Sequence, residues 1–356
     1  ITAAEQNGLE PALMAPTGRA AKRLAISSGR DADTIHKALE ASVRETGRTY
    51  FERNEANPLE EDLIIVDEAS MLDISLFYHL LCALKDGARL ILVGDIDQLP
   101  PVGAGEPLKD LMSWGYVPIV RLKRIFRQEE GSGIVENAAL IRKGEMCVPD
   151  EAGEFRIVYA ADDEDAYRIV MDLCRELNYG NEENKMLLQV LSPMYRGVCG
   201  VDHLNESLQE MIHGEKVPDG MKFFPGDKVM QTRNDYEKGI YNGDVGTVWT
   251  ATPQKVFVRY FDKEVVYEGE ERFDLRLAYA VTVHKSQGSE YETVIFILRP
   301  SQHNMLQRNL LYTGVTRARK NTILVTAPDA LRRALAIQHT GNRYSLFLPF
   351  LNHEAL

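Results

Sequence analysis

The stretch LIIVDEASML, Leu63 to Leu72, sets two adjacent carboxylates, Asp67 and Glu68, directly behind the β-branched run Ile64, Ile65, Val66. Such a run reads as a buried parallel strand, and the C-terminal end of a strand in an open α/β sheet is where ligands bind. A carboxylate there can hold Mg²⁺, directly or through water, while its neighbour orients or deprotonates an attacking water. That is half of a nucleotide-hydrolysis site. The other half is a glycine-rich loop, G-x-x-x-x-G-K-[ST], that cradles the phosphates, and the chain contains no Gly-Lys dipeptide.

Other stretches carry polar groups in suggestive places. In LILVGDIDQLPPVGAG, Gln98 stands three residues after Gly94-Asp95 and before a rigid Leu-Pro-Pro, where its amide could sense a terminal phosphate; the same wording also suits an ordinary loop. RLKRIFRQ (Arg121 to Gln128) and LLYTGVTRARK (Leu310 to Lys320) each set arginines near the end of an apolar segment. A planar guanidinium suits the spread charge of a phosphoryl-transfer transition state, and a solvated helix end is the plain alternative. LAYAVTVHKSQGSEYETVIF packs Thr282, His284, Lys285, Ser286 and Gln287 in front of Gly288. Hydroxyl, imidazole, ammonium and amide on one loop match the groups that contact nucleic-acid phosphates and sugars, and five polar residues in six positions argue against a buried location. In APTGRAAKRL, Thr17, Gly18 and Arg19 open a helix whose first amides favour an anion, with Lys22 and Arg23 adding positive charge.

Other chemistries lack support. The chain has no H-E-x-x-H, no G-x-S-x-G and no cysteine–histidine constellation. Glu183-Asn184-Lys185 has a nuclease-like E-x-K form but sits in the charge run NEENK, which reads as a solvated turn.

The elements that must position these groups follow an α/β pattern. From Pro11 the chain alternates PALMAPT, a helix from about Arg19 to Ser27, LIIVDE, a helix SLFYHLLCAL and RLILVGD (Arg89 to Asp95), the rhythm of parallel β-α-β units. A second such layer begins after Gly131, with KMLLQVLSPM, ETVIFIL (Glu292 to Leu298) and NTILVTA (Asn321 to Ala327) as its strands. Two layers imply a cleft between them. From Gly226 to Leu275 the period changes to two, with a tight-turn signal at Asn242-Gly243, which predicts a small antiparallel barrel or sandwich inserted in the second layer. GRTYFERNEANPLEED, about 46–62, suits an exposed hairpin or loop. ITAAEQNG reads as the tail of a helix stopping at Gly8, so the beginning of the chain is expected to be missing.

The totals agree with a multidomain globular protein. At 356 residues, two or three domains are expected, and 44% hydrophobic with 26% charged residues is an ordinary soluble composition. No apolar run approaches the roughly 20 residues that span a bilayer, and nothing at the N-terminus resembles a signal peptide, so a cytoplasmic protein without membrane contact is expected. The four cysteines (Cys82, Cys147, Cys174, Cys199) form no C-x-x-C pair and read as small core residues. A net charge of −12 excludes a protein coated in positive charge. Any nucleic-acid contact must be concentrated.

The ordered set APTGRAAKRL, TIH (Thr34 to His36), LIIVDEASML, VGDIDQLPP, RIFRQ, LSPMYRG, AVTVHKSQGSEY and LLYTGVTRARK resembles the superfamily 1 DNA helicases, in particular the RecD-like branch, the exodeoxyribonuclease V alpha-subunit family. The resemblance covers nearly the whole chain and implies two RecA-like P-loop NTPase-type domains. Residues 1–128 would form the first, lacking its phosphate loop and carrying a hairpin pin at about 46–62; residues 129–356 would form the second, with an SH3-like β-barrel at about 222–277. It places the phosphate loop just before the helix in which Ile1 would lie. It implies ATP and Mg²⁺ as cofactors, with Asp67 at the metal, Glu68 at the attacking water and Gln98 sensing the γ-phosphate. Arg127 and Arg317 would approach that phosphate, and Glu290, beside Gly288, the nucleotide. The single-stranded DNA track would run over Thr17, Arg19, Thr34 and His36, and over Arg196, Thr282, His284 and Ser286.

The expected activity is ATP-dependent 5′-to-3′ translocation on single-stranded DNA in repair and recombination, with RecB- and RecC-like subunits or a single-strand binding protein as candidate partners. Two alternatives stay open: the helicase portion of a conjugative relaxase, and a DNA-binding module that does not hydrolyse ATP.

Overall fold

In the first unit, four parallel strands lie in the order Asp33–Thr34, Pro11–Ala15, Leu63–Val66, Arg89–Leu92. The registers Ala15↔Thr34, Met14↔Val66 and Val66↔Leu92 make them end nearly level. The computed structural model describes residues 1–43, 49–122, 131–218, 220–235, 237–261, 263–338 and 347–352. The chain divides into two compact units, residues 1–121 with 341–356, and residues 122–340.

Local signals fix the helices of the first unit. Gly18–Ser28 begins at Thr17, whose hydroxyl accepts from the Ala20 amide, and ends at Gly29 in the left-handed region (φ 67°). Ile74–Cys82 begins at Asp73, whose carboxylate accepts from the Leu76 amide at 2.8 Å. Met14, Ile35, Ile64, Val66, Phe77 and Leu80 fill the core beneath the sheet. Phe347, on the helix Phe347–Leu351, sets its ring 5.9 Å from that of Phe77, edge to face. This corrects the expected second domain of 129–356: the C-terminal helix belongs with the first unit, where an apolar face meets an apolar core. The hairpin is also displaced. Ala41–Val43 pairs antiparallel with Thr49–Phe51, whereas Asn54 and Asn57 form only an isolated bridge in the stretch that follows. Residues 46–48 of the expected hairpin lie outside the described residues.

The second unit holds a five-stranded, wholly parallel sheet in the order Ala280–Thr282, Leu188–Ser192, Tyr291–Leu298, Ala318–Thr326, Phe155–Tyr159. Leu188–Ser192 is buried throughout, as strands covered on both faces must be. The period-two stretch is a separate antiparallel sheet, ordered Glu264–Glu268, Lys255–Arg259, Val245–Ala251, Lys228–Gln231, Leu275–Leu277. Val248, Val256, Val258, Val265, Tyr267 and Leu275 point into its own small core.

This β-barrel is fastened to the parallel sheet by buried polar groups. The fully buried Asp227 carboxylate accepts from Gln209 Nε2 (2.5 Å), His213 Nε2 (2.9 Å), the Phe224 amide (2.7 Å) and the Tyr279 hydroxyl (2.9 Å). Next to it, buried Lys228 donates to the Leu188 carbonyl and to Gln189 Oε1, each at 3.0 Å. Buried charges persist only with such partners. Among the described residues no helix is long and apolar enough to cross a membrane.

Candidate functional site

The level strand ends of the first unit bring Thr17, Thr34, Asp67 and Gly94 to one edge of its sheet. Asp67 is half-buried; its amide donates to the Met14 carbonyl at 2.9 Å, and its Oδ1 accepts from the Glu68 amide at 2.9 Å. Glu68 takes the left-handed conformation (φ 52°, ψ 35°), uncommon for a residue with a Cβ and frequent at functional sites. The next amide, Ala69, donates to the Val93 carbonyl at 2.8 Å and locks the turn to the neighbouring strand. Gly94 has to be glycine: a Cβ there would lie 2.8 Å from the Ser70 amide nitrogen and 2.8 Å from Leu108 Cδ2. Behind it, Asp95 folds the loop by accepting from the Asp97 amide at 3.0 Å, and Gln98 Nε2 donates to Asp95 Oδ2 at 3.4 Å.

Two carboxylates at a strand end match what Mg²⁺ needs from protein at nucleotide sites, one or two acidic side chains with phosphates and water completing the octahedron. Among the described residues no three His, Cys, Asp or Glu side chains converge as a self-sufficient metal cage. The geometry fits a cation shared with a phosphate ligand.

The expected DNA-facing groups of the first unit are partly structural. Thr17 and Thr34 each cap a helix, Thr34 Oγ1 accepting from the Lys37 amide at 3.1 Å. Arg19 is half-buried in the first turn of its helix. His36 lies 5.8 Å from the Phe51 ring; burial pushes its pKa below the usual histidine value, with Asp73 opposing. Below that value in pKa, the imidazole is mostly neutral at pH 7 and serves as a hydrogen-bonding or stacking group rather than a cation.

In the second unit, the loops after Leu188–Ser192 and Ala280–Thr282 leave the same edge of the sheet, with Ser192 paired to Thr282. Arg196 is exposed on the first loop, which Ser192 Oγ closes by donating to the Cys199 carbonyl at 2.6 Å. The second loop corrects an expectation. Thr282, Ser286 and Gln287 are buried (4%, 0% and 8% exposed) despite the polar run. A single turn of 3₁₀ helix, His284–Ser286, satisfies the two hydroxyls locally: Thr282 Oγ1 accepts from the Lys285 amide at 3.2 Å, and Ser286 Oγ donates to the Val283 carbonyl at 2.7 Å. His284 is half-buried, and burial lowers its pKa.

Gly288 supplies a left-handed turn (φ 71°) ahead of half-buried Glu290. Arg317 is 1% exposed; its Nη1 donates to the Ser289 carbonyl at 3.1 Å and its Nε to the Thr313 carbonyl at 3.2 Å. Arg317 is thus gathered with Gly288 and Glu290 inside one unit. Arg127 lies outside the described residues. Sequence reading passed over Lys285 as a link: its Nζ donates to Asn242 Oδ1 on the barrel at 2.7 Å, a pairing across 43 positions that no local pattern signals.

Family profiles cover most of these elements. One described as an AAA domain matches residues 1–156, one for the SH3 domain of ATP-dependent RecD-like DNA helicases matches 204–260, and one for a UvrD-like helicase C-terminal domain matches 277–325. An ATP-dependent RecD2 DNA helicase of Deinococcus radiodurans is 38% identical over 347 residues, 96% of this chain and 46% of that protein. The RecBCD enzyme subunit RecD of Mycolicibacterium smegmatis is 32% identical over 371 residues, 94% of this chain and 66% of that one. The chain therefore spans about half to two thirds of the length of these relatives. A solved Pif1 helicase from Bacteroides, in complex with ADP-AlF3 and ssDNA, shares the fold at a TM-score of 0.55 and 20% identity, over 97% of this chain and 87% of that one.

Proposed function

The chain belongs to the RecD-like family of superfamily 1 DNA helicases, and on that premise we propose that it forms the motor of an ATP-dependent enzyme moving 5′ to 3′ on single-stranded DNA. The observation that carries this reading is the Asp67-Glu68 pair at the level edge of a parallel sheet, with Glu68 held in a left-handed backbone. ATP and Mg²⁺ are its cofactors: Asp67, with Glu68 beside it, would hold the cation, whose charge offsets that of the phosphates. Glu68 orients the attacking water and accepts its proton. Gln98, tethered to Asp95, reports whether a terminal phosphate is present. Arg317 and Arg127 meet the charge that develops during phosphoryl transfer, and Glu290 with Gly288 borders the nucleotide. Arg317 does so by exchanging its carbonyl partners for phosphate oxygens.

On the DNA side, Arg19 and Arg196 supply charge, while Thr17, Thr34, His36, Thr282, His284 and Ser286 shape and support the surface along which the backbone runs. The stretch at about 46–62, whose strand Thr49–Phe51 pairs antiparallel with Ala41–Val43, acts as the pin that parts the strands. ATP binding and hydrolysis alternate the grip of the two units on DNA, which turns the cycle into steps. A RecBCD-type assembly, as the name of the mycobacterial relative describes, or a single-strand binding protein is the proposed partner, and the cytoplasm the proposed compartment.

The test is Glu68→Gln in an ATPase-active protein containing these residues. Turnover should fall by roughly 10³ or more while affinity for single-stranded DNA stays within about twofold. Unchanged turnover would remove Glu68 from the reaction.

A further inference from the structure

One helix of the first unit, Ile74–Cys82, touches both the loop of Gln98 and the stretch proposed as the pin. At its start stands Asp73, the N-cap residue, shortly after the Asp67-Glu68 turn. The Ile74 amide donates to the Ala104 carbonyl at 2.8 Å. Gly103 lies so close to Asp73 that a Cβ there would overlap the carboxylate. Leu99-Pro100-Pro101 stiffens the path from Gln98 to these contacts, because proline fixes its own φ.

The last turn of the same helix carries the pin stretch. The half-buried His79 ring sits 4.5 Å from that of Phe51, tilted by 36°, and Phe51 is buried. Tilted or offset rings about 4.5–7 Å apart are the favoured arrangement for aromatic pairs. His36 is the second ring beside Phe51, at 5.8 Å. Farther along, the buried Leu59 gives its amide to the carbonyl of Ala83, the C-cap residue of the helix, at 2.8 Å. The stretch is therefore attached to one helix twice, at Phe51 and at Leu59. Between the two attachments Asn54 and Asn57 exchange amide-to-carbonyl bonds of 3.1 and 3.0 Å, which closes the turn on itself. A two-stranded hairpin has little stability of its own, so these attachments set its direction.

We propose that His79 is a positioning residue for strand separation: through Phe51 it fixes the pin to the helix that also anchors the Gln98 loop, so that pin and loop move as one piece. This rests on the helicase reading above and on the pin within it. His79 belongs to neither the proposed nucleotide site nor the proposed DNA track. Its contribution is to the aim of the pin, carried through packed rings and a rigid helix.

The experiment compares His79→Ala and His79→Phe in an ATPase-active protein containing these residues, measuring ATP hydrolysis stimulated by single-stranded DNA beside displacement of a tailed duplex. For His79→Ala the base pairs opened per ATP should fall about tenfold, while hydrolysis and affinity for single-stranded DNA stay within about twofold. His79→Phe keeps a ring against Phe51 and should restore the ratio to within about twofold. In the 356-residue protein, amides 49–53 should exchange with deuterium faster in His79→Ala and at the original rate in His79→Phe. The proposal is overturned if His79→Ala opens as many base pairs per ATP as the unsubstituted protein, or if hydrolysis falls as far as displacement. It is overturned equally if His79→Phe is as impaired as His79→Ala, or if exchange at 49–53 is the same in all three proteins. If the unsubstituted protein hydrolyses ATP on single-stranded DNA but opens no duplex, the helicase reading itself fails and takes this inference with it.

Discussion

The two carboxylates of the LIIVDEASML stretch were legible because β-branched residues announce the strand that delivers them. The left-handed backbone of Glu68 was not, since a φ of 52° is set by the ties of Asp67 and Ala69 to neighbouring strands rather than by residue type. Burial of Thr282 and Ser286 escaped for a related reason: a hydroxyl can enter a core when a backbone group two or three residues away meets it, and composition does not record that partner. Histidine protonation gives a prediction at this scale. His36 and His284 both have native pKa values lowered below 6.5 by burial, so the unfolded chain binds protons more readily than the folded one. Stability from these groups is full above pH 6.5 and declines as the pH falls toward their native values. Urea midpoints should drop from pH 7.5 to pH 5.5, and a His36→Gln, His284→Gln protein should drop less. Equal drops would show that other groups carry the acid sensitivity.

Among the elements, those with a continuous apolar run were readable: the strands Pro11–Ala15, Leu63–Val66, Leu188–Ser192, Tyr291–Leu298 and Ala318–Thr326 all fall within or beside the stretches singled out, and the period-two region is antiparallel. Placement of elements without such runs was harder. The strand Thr49–Phe51, at the start of the polar stretch, pairs with Ala41–Val43 ahead of it, because Phe51 is buried against the His36 and His79 rings and draws its strand inward. The C-terminal helix joins the first unit through Phe347, a contact 270 positions from Phe77 that periodicity cannot reveal. At this scale the barrel's anchorage is the point to probe. Asp227→Ala orphans the Gln209, His213, Tyr279 and Phe224 donors in a buried setting and should cost about 3–5 kcal/mol. Chemical denaturation checks this, and a loss below about 1 kcal/mol would mean that the barrel is held by apolar contacts instead.

For the whole molecule, an acidic chain proposed to bind a polyanion must confine its positive charge, because a net charge of −12 repels such a ligand elsewhere on the surface. A protein of these 356 residues, which contain no Gly-Lys dipeptide, should bind single-stranded DNA in a salt-sensitive way and show no measurable ATP hydrolysis. Robust hydrolysis would mean that phosphates are held by groups other than a glycine-rich loop. The central claim, an ATP-driven motor of fixed polarity, is met most directly by strand displacement. In an ATPase-active protein containing these residues, with ATP and Mg²⁺, a duplex bearing a 5′ single-stranded tail should be unwound and one bearing only a 3′ tail should not, with Glu68→Gln abolishing the activity. Unwinding from the 3′ tail, or unwinding that survives Glu68→Gln, would contradict the account.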